Sequence, residues 1–180
     1  MNAFLHESLP VAQCAQDQAT QFFRNSEGHW RSERRYYTLK SGLIQEVVSQ
    51  LQIRFLQAGD AELQLLSQAH GLEIVIPCGV GITWDSQYAG PSKKNVTGST
   101  VFGLRGDVLY RDRGFATPKP ITAQYTFPNP NTMVLRTEYD GSVFEEEIKL
   151  ISHQYRTRQT VISRAGEEQM IGQYLERRIA

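Results

Sequence analysis

The chain has 180 residues, with 19 Lys plus Arg, 19 Asp plus Glu and a formal net charge of zero. Charge neutrality gives no global electrostatic pull toward nucleic acid or an anionic membrane surface. The length fits one domain, residues 1–180, able to bury a sizeable core around one cavity. The two cysteines, Cys14 and Cys78, form no Cys-x-x-Cys pair and no Cys/His cluster, so no metal site is expected and a reducing compartment fits. Residues Met1 to Pro10 lack the basic and apolar pattern of a signal peptide, and no apolar run reaches transmembrane length. A soluble, intracellular chain is expected.

Pro10 to Asn25 reads as a helix with a stripe of Leu9, Val11, Ala15, Phe22 and Phe23, and Pro10 suits its first turn. After Gly28 the period becomes two, with Trp30, Ser32, Arg34 and Tyr36 on one face. Leu43, Val47, Leu51, Ile53 and Phe55 share a face of the next strand. Ala58 to His70 predicts a short insertion helix, started by Gly59-Asp60 and stopped by Gly71. Ile74, Ile76, Cys78, Val80, Ile82 and Trp84 then alternate along one extended strand. Pro77, Gly79 and Gly81 take its other face, where they are expected to bend it or permit a bulge.

Further strands are predicted at Val96–Leu104, Asp107–Arg111, Ile121–Phe127, Thr132–Tyr139, Ser142–Ile151, Tyr155–Ser163 and Gln169–Arg178. Turn residues separate them, among them Asp140-Gly141 and Ala165-Gly166. About ten strands in meander order predict an all-β fold: an antiparallel up-and-down barrel with an N-terminal helix and a short insertion helix. Closure would remove the sheet edges and leave room for a ligand.

Ionisable residues on an inward face are the informative exceptions. Phe144, Ile148 and Leu150 share a face with Glu146, while Glu145, Glu147 and Lys149 take the other. Arg156 and Arg158 lie two apart on the following strand, with Thr160 and Ile162 continuing their face. If these faces point inward, a carboxylate and two guanidinium groups line the cavity, and a ligand with acidic side chains suits the guanidinium wall. Trp84 and Trp30 would offer flat apolar surface to a conjugated ligand. The plainer reading stands beside this one. A one-residue register slip turns Glu146 to solvent. The arginines then make surface ion pairs worth little, and Trp84 is a core residue.

Several segments together resemble the S-type phycobiliprotein lyases, the CpcS/CpeS/CpcU family of cyanobacteria and plastids. Phe22-Phe23-Arg24-Asn25-Ser26-Glu27-Gly28-His29-Trp30-Arg31-Ser32-Glu33-Arg34 is similar to the family's opening helix end and strand. Ile82-Thr83-Trp84-Asp85 with Gly98-Ser99-Thr100-Val101 resembles its tryptophan-plus-acid strand and the small-residue strand that follows. Phe144-Glu145-Glu146, Arg156-Thr157-Arg158 and the closing Gln173-Tyr174-Leu175-Glu176-Arg177-Arg178 complete the resemblance, which runs from about residue 20 to 178.

The resemblance implies a lipocalin- or fatty-acid-binding-protein-like (calycin) barrel. It implies phycocyanobilin or a related bilin as substrate, with no resident cofactor. It also implies thioether attachment of that bilin to a cysteine of an apo-phycobiliprotein subunit: phycocyanin, allophycocyanin or phycoerythrin. Glu146 matches the family's functional glutamate, and Arg156 and Arg158 match its arginine pair. A homodimer, or a heterodimer with a homologous lyase subunit, and a cyanobacterial cytosol or plastid stroma are implied as well. A non-catalytic bilin carrier and a supporting subunit of a heteromeric lyase are the alternatives. Two roles are open to Glu146. Unpaired, it would protonate or hydrogen-bond the pyrrole nitrogens. Paired with arginine, its pKa would fall and the acid role would weaken.

Overall fold

The computed structural model describes residues 11–90 and 95–179, the first four by backbone alone. Leu9 and Pro10, and the side chains of Val11 and Cys14, lie outside the described residues. The chain runs α1 (Val11–Ser26), β1 (Gly28–Thr38), β2 (Leu43–Gln57), α2 (Ala61–Ala69), β3 (Cys78–Tyr88), β4 (Asn95–Arg105) and β5 (Val108–Arg111). It continues through β6 (Ile121–Asn129), β7 (Thr132–Tyr139), β8 (Ser142–Leu150), β9 (Tyr155–Arg164) and β10 (Glu167–Ile179). Each strand pairs antiparallel with its neighbour in sequence, and β1 pairs with β10 to close the barrel. The expected all-β barrel with two helices is therefore what forms.

Turn chemistry sets the hairpins. Asp140 and Gly141 both have positive φ (50° and 72°), as do Ala165 and Gly166 (52° and 80°). That is the twist-matched two-residue geometry which keeps flanking strands in register.

Helix α1 closes one end of the barrel. Ala19, Phe22 and Phe23 are buried in the main core, and Phe22 meets Phe127 edge to face at 5.6 Å. Ser26 donates its hydroxyl to the Phe22 carbonyl and its own carbonyl accepts the Trp30 indole N–H, both at 2.9 Å. Gly28 turns the chain into β1 with a φ of +127°, where a side chain would also strike Arg178.

The strand before Trp84 is shorter than its alternation suggests. It begins at Cys78. Ile74 is exposed, and Ile76 is buried outside the barrel with Leu56, Leu63 and Leu66 beneath α2. The glycines of this region make no bulge, because β3 pairs with β4 without a register shift. They let α2 approach the sheet. A Cβ on Gly79 would meet Leu63 at 2.9 Å, and one on Gly103 would meet Ile76 at 2.7 Å. Alternation alone could not separate these cases, since an apolar residue packs equally well under a helix or inside a barrel. Helix α2 itself starts at Ala61, with Asp60 at its N-cap position, and ends where Gly71 takes a φ of +63°. Among the described residues no helix is long and apolar enough to cross a membrane.

Candidate functional site

Opposite α1, the barrel holds a cavity of about 930 Å³. Leu51, Ile82, Trp84, Phe102, Phe115, Phe144 and Tyr174 give it an apolar and aromatic wall. Arg34, Arg111, Arg113, Arg156, Arg158 and Arg164 also line it. Among the described residues no Asp or Glu forms part of that lining. Cavities of this size hold drug-sized molecules, and the charge of the wall is complementary to an anion.

Glu146 does point inward, as the β8 alternation predicts, and it is 1 % exposed. It lies behind the wall rather than in it. Its Oε2 accepts from Arg111 at 3.0 Å, and its Oε1 accepts from Arg158. Burial pushes the Glu146 carboxyl up, but Arg158 and Arg111 outweigh burial and hold it below the ordinary carboxylate range. Of the two roles the sequence left open, the geometry gives the pair. Glu146 is an ionised anchor that fixes two guanidinium groups, and it is unsuited to donate a proton near neutral pH. At Arg158 burial opposes the charge, yet Glu146, Tyr174 and Glu176 raise its pKa. At Arg111 burial prevails and lowers the pKa, which still leaves a guanidinium charged. Arg111 lies between the rings of Phe102 and Phe115, 4.5 and 4.7 Å from their centroids.

Arg156 is on the same wall but does not join Glu146. It donates from Nε to Glu176 of β10, which is 1 % exposed. Burial pushes the Glu176 carboxyl up, while Arg156, with Arg158 and Arg34, more than reverses that and holds it low. Tyr174, two residues before Glu176, sits between two cations: Arg34 and Arg158 lie 5.4 and 5.3 Å from its ring centroid. Burial raises its pKa, so the phenol stays protonated. The Nε atoms of Arg111 and Arg158 and one Glu176 oxygen are buried without a hydrogen-bond partner in the protein. Buried polar groups of this kind normally have partners, and these three cluster beside the arginine–glutamate pairs.

The sequence-predicted residues thus separate. Glu146, Arg156, Arg158 and Trp84 gather at the cavity. The Trp84 indole crosses β4 at Gly98, whose missing side chain makes the space it occupies. Trp30 is not in the lining. It is fully buried against α1, with Arg156 and Arg178 4.7 and 4.3 Å from its ring centroid, so its flat surface supports the arginines instead of meeting a ligand. Arg111, Glu176, Tyr174 and Arg34 were missed. The alternation that exposed Glu146 also marks Glu176, which shares a face with Gly172 and Tyr174. Arg111 ends a strand of four residues, too short for alternation to speak.

A closed antiparallel barrel of ten strands, capped by a helix, with a cavity lined by arginines and aromatic rings, has the architecture of a calycin-like barrel. The chain belongs to the CpeS-like protein family, whose model matches residues 18–179. It is 57 % identical over 166 residues to a protein of Nostoc sp. strain PCC 7120 provisionally named phycocyanobilin lyase CpcS 2, covering 91 % of this chain and 92 % of that one. It is 46 % identical over 164 residues to a Picosynechococcus protein provisionally named chromophore lyase CpcV, covering 89 % and 81 %. The structure of the S-type phycobiliprotein lyase CPES from Guillardia theta matches with a TM-score of 0.75 at 23 % identity, over 96 % of this chain and 99 % of that one. At that identity the match shows a shared fold.

Proposed function

We propose that this chain is a bilin lyase: it holds a linear tetrapyrrole in the barrel and promotes its thioether attachment to a cysteine of a phycobiliprotein subunit. The observation that carries the reading is the wall of six arginines and aromatic rings with both glutamates withdrawn behind it. A bilin is a flat conjugated molecule with two propionates, and this wall offers rings to one part and guanidinium groups to the other. The names of the relatives agree with that ligand.

In the reaction the acceptor's thiol adds across the exocyclic ethylidene. The C=C π bond opens, a carbon–sulfur bond forms at the exocyclic carbon that carries the methyl group, and the proton ends on the adjacent ring carbon, so no oxidant or leaving group is needed. The chain's own residues bind and orient. Arg158 and Arg111, fixed by Glu146, and Arg156, fixed by Glu176, hold carboxylates without reorganising. Their positive field also favours electron flow into the ring system as the thiolate adds. Neither cysteine of the chain is required as a nucleophile, and Cys78 is buried with its thiol pKa raised by that burial. Apo-phycobiliprotein subunits are the partners this chemistry needs, and the cyanobacterial cytosol or plastid stroma is where they would meet.

Co-expression with a bilin-producing pathway and apo-phycobiliprotein subunits tests the proposal. Zinc-stained denaturing gels should show covalent adduct with at least one subunit. Adduct yield and absorbance equal to the lyase-free control for every subunit, with and without homologous partner chains, would refute it.

A further inference from the structure

Adjacent antiparallel strands need only a few residues to connect. The β5–β6 connection spends nine, residues 112–120, and uses them to cross the cavity. Arg113, Gly114, Phe115, Ala116, Thr117 and Pro118 all line it. The segment is fastened at both shoulders. Asp112 Oδ1 accepts from the Thr100 hydroxyl at 2.6 Å and from the Val101 N–H at 3.1 Å. The Ala116 N–H donates to the Tyr139 hydroxyl at 2.9 Å, and the Gly114 N–H donates to the Thr117 carbonyl at 2.9 Å. Gly114 has no room for a side chain, since a Cβ there would meet Thr117 at 2.7 Å and the Tyr139 ring at 3.0 Å.

This fastening delivers one ring. Phe115 lies nearly parallel to Phe144, with centroids 5.1 Å apart and planes within 6°. Phe144 is in turn nearly parallel to Tyr139, at 4.7 Å and 8°. Phe115 also covers the Arg111 guanidinium, yet it remains 37 % exposed. A large ring held that precisely while still in solvent gains little for folding. Its exposed part borders the cavity beside the arginine wall, a combination suited to a flat conjugated anion.

We propose that residues 112–120 are a strap across the cavity and that Phe115 is a ligand-contacting ring which stacks on a flat conjugated anion and sets its residence time. The inference deepens the bilin-lyase reading, since it rests on the same cavity taking such an anion. Its test uses two probes on the full chain: phycocyanobilin, and the unrelated aromatic sulfonate anilinonaphthalene sulfonate. Dissociation of each is followed by stopped flow, with excess serum albumin capturing the bilin and dilution releasing the sulfonate.

Phe115→Ala and Phe115→Leu should each release the probes about tenfold faster than wild type, the worth of one lost ring stack with its buried area. Phe115→Trp should restore release to near the wild-type rate. Gly114→Ala, which displaces the strap without touching the ring, should act like Phe115→Ala. Release from Phe115→Ala within about twofold of wild type, below the effect of a single stack, overturns the inference. So does wild-type release from Phe115→Leu, since that would make the residue an apolar cover and not a stacking ring. If the sulfonate shows the dependence and the bilin does not bind at all, the strap stands and the lyase reading fails.

Discussion

Replacing Glu146 by glutamine keeps the shape of the side chain and removes its charge, which isolates the anchor from the packing. The Glu146 side chain is 0 % exposed, with Arg111 at 6 % and Arg158 at 18 %. The amide can accept from one guanidinium only, and its NH₂ then faces the donors of the other. Leaving one buried charge unpaired costs about 3–5 kcal/mol. Arg158, the more exposed of the two, can turn toward the cavity while the amide oxygen still accepts from Arg111, so the lower end, about 3 kcal/mol, applies. For a chain of this size that lowers Tm by roughly 6–12 °C. The pH dependence follows from the depressed carboxyl pKa. A depressed group contributes stability above its unfolded pKa of about 4.3, and loses it as pH falls through the lower folded value. The gap between wild type and variant should be constant at neutral pH and close as the wild-type carboxylate protonates. Urea and thermal unfolding from neutral to acid pH measure it. A Tm difference below about 2 °C at pH 7, less than 1 kcal/mol by the size scaling, or a gap that widens on acidification, would refute the anchor argument. Adduct yield should fall in the same variant because the arginines lose their fixed geometry.

The two tryptophans should behave as opposites. Trp84→Ala should weaken bilin binding with a modest change in stability. Trp30→Ala should cost about 3–5 kcal/mol of stability, because its ring is fully buried and its N–H is satisfied by Ser26; bilin titrations and urea unfolding tell them apart, and equal losses in both assays would contradict the placement. Gly103→Ala should destabilise by about 1–3 kcal/mol through overpacking, since its Cβ meets Ile76 and Leu66 under α2. Bilin affinity should be retained there, as the contact lies outside the barrel. The dimethyl ester of the bilin, which keeps the rings and loses both carboxylates, should bind at least tenfold more weakly than the diacid, since one charge-assisted hydrogen bond is worth about 1.5–3 kcal/mol. Equal affinity would remove the arginine wall from recognition.

The barrel was legible because strands advertise themselves twice, through alternation and through turn residues. Asp140-Gly141 and Ala165-Gly166 fix two hairpins whatever their partners, and the Phe144–Glu146–Ile148 face follows from period two alone. The end of alternation before Cys78 was not legible. Ile76 satisfies the pattern of the strand while serving the outer cluster under α2, and only the close approach of Leu63 and Leu66 to Gly79 and Gly103 shows which. For the site, parity could place Glu146, Arg156 and Arg158 on inward faces, but pairing across a barrel depends on stagger. Glu146 lies opposite Thr160 on β9, so its arginine partner on that strand is diagonal. Its second partner, Arg111, comes from a strand 35 residues away in sequence. Arg156 finds Glu176 directly across the β9–β10 ladder, in a register set by an irregularity between Glu168 and Met170 that the turn residues do not reveal.

These pairings explain why the fold tolerates so much positive charge inside. Each buried glutamate sits behind the arginines it holds, so the carboxylates pay the electrostatic cost of the barrel without occupying its cavity. A glutamate in the lining would repel the propionates the wall is suited to receive. Arg158 contacts Glu146 and Tyr174 and still borders the cavity. Arg111 contacts Glu146, Phe102 and Phe115 and borders it too. Each therefore faces the cavity from a position already fixed on its other sides. Fixing the donors before the ligand arrives is what lets a site favour one orientation of a flexible tetrapyrrole. Orientation is the service an acceptor thiol needs when it must reach one exocyclic carbon from one face. On the proposed reading Glu146 and Glu176 act through the arginines, and the arginines act on the substrate.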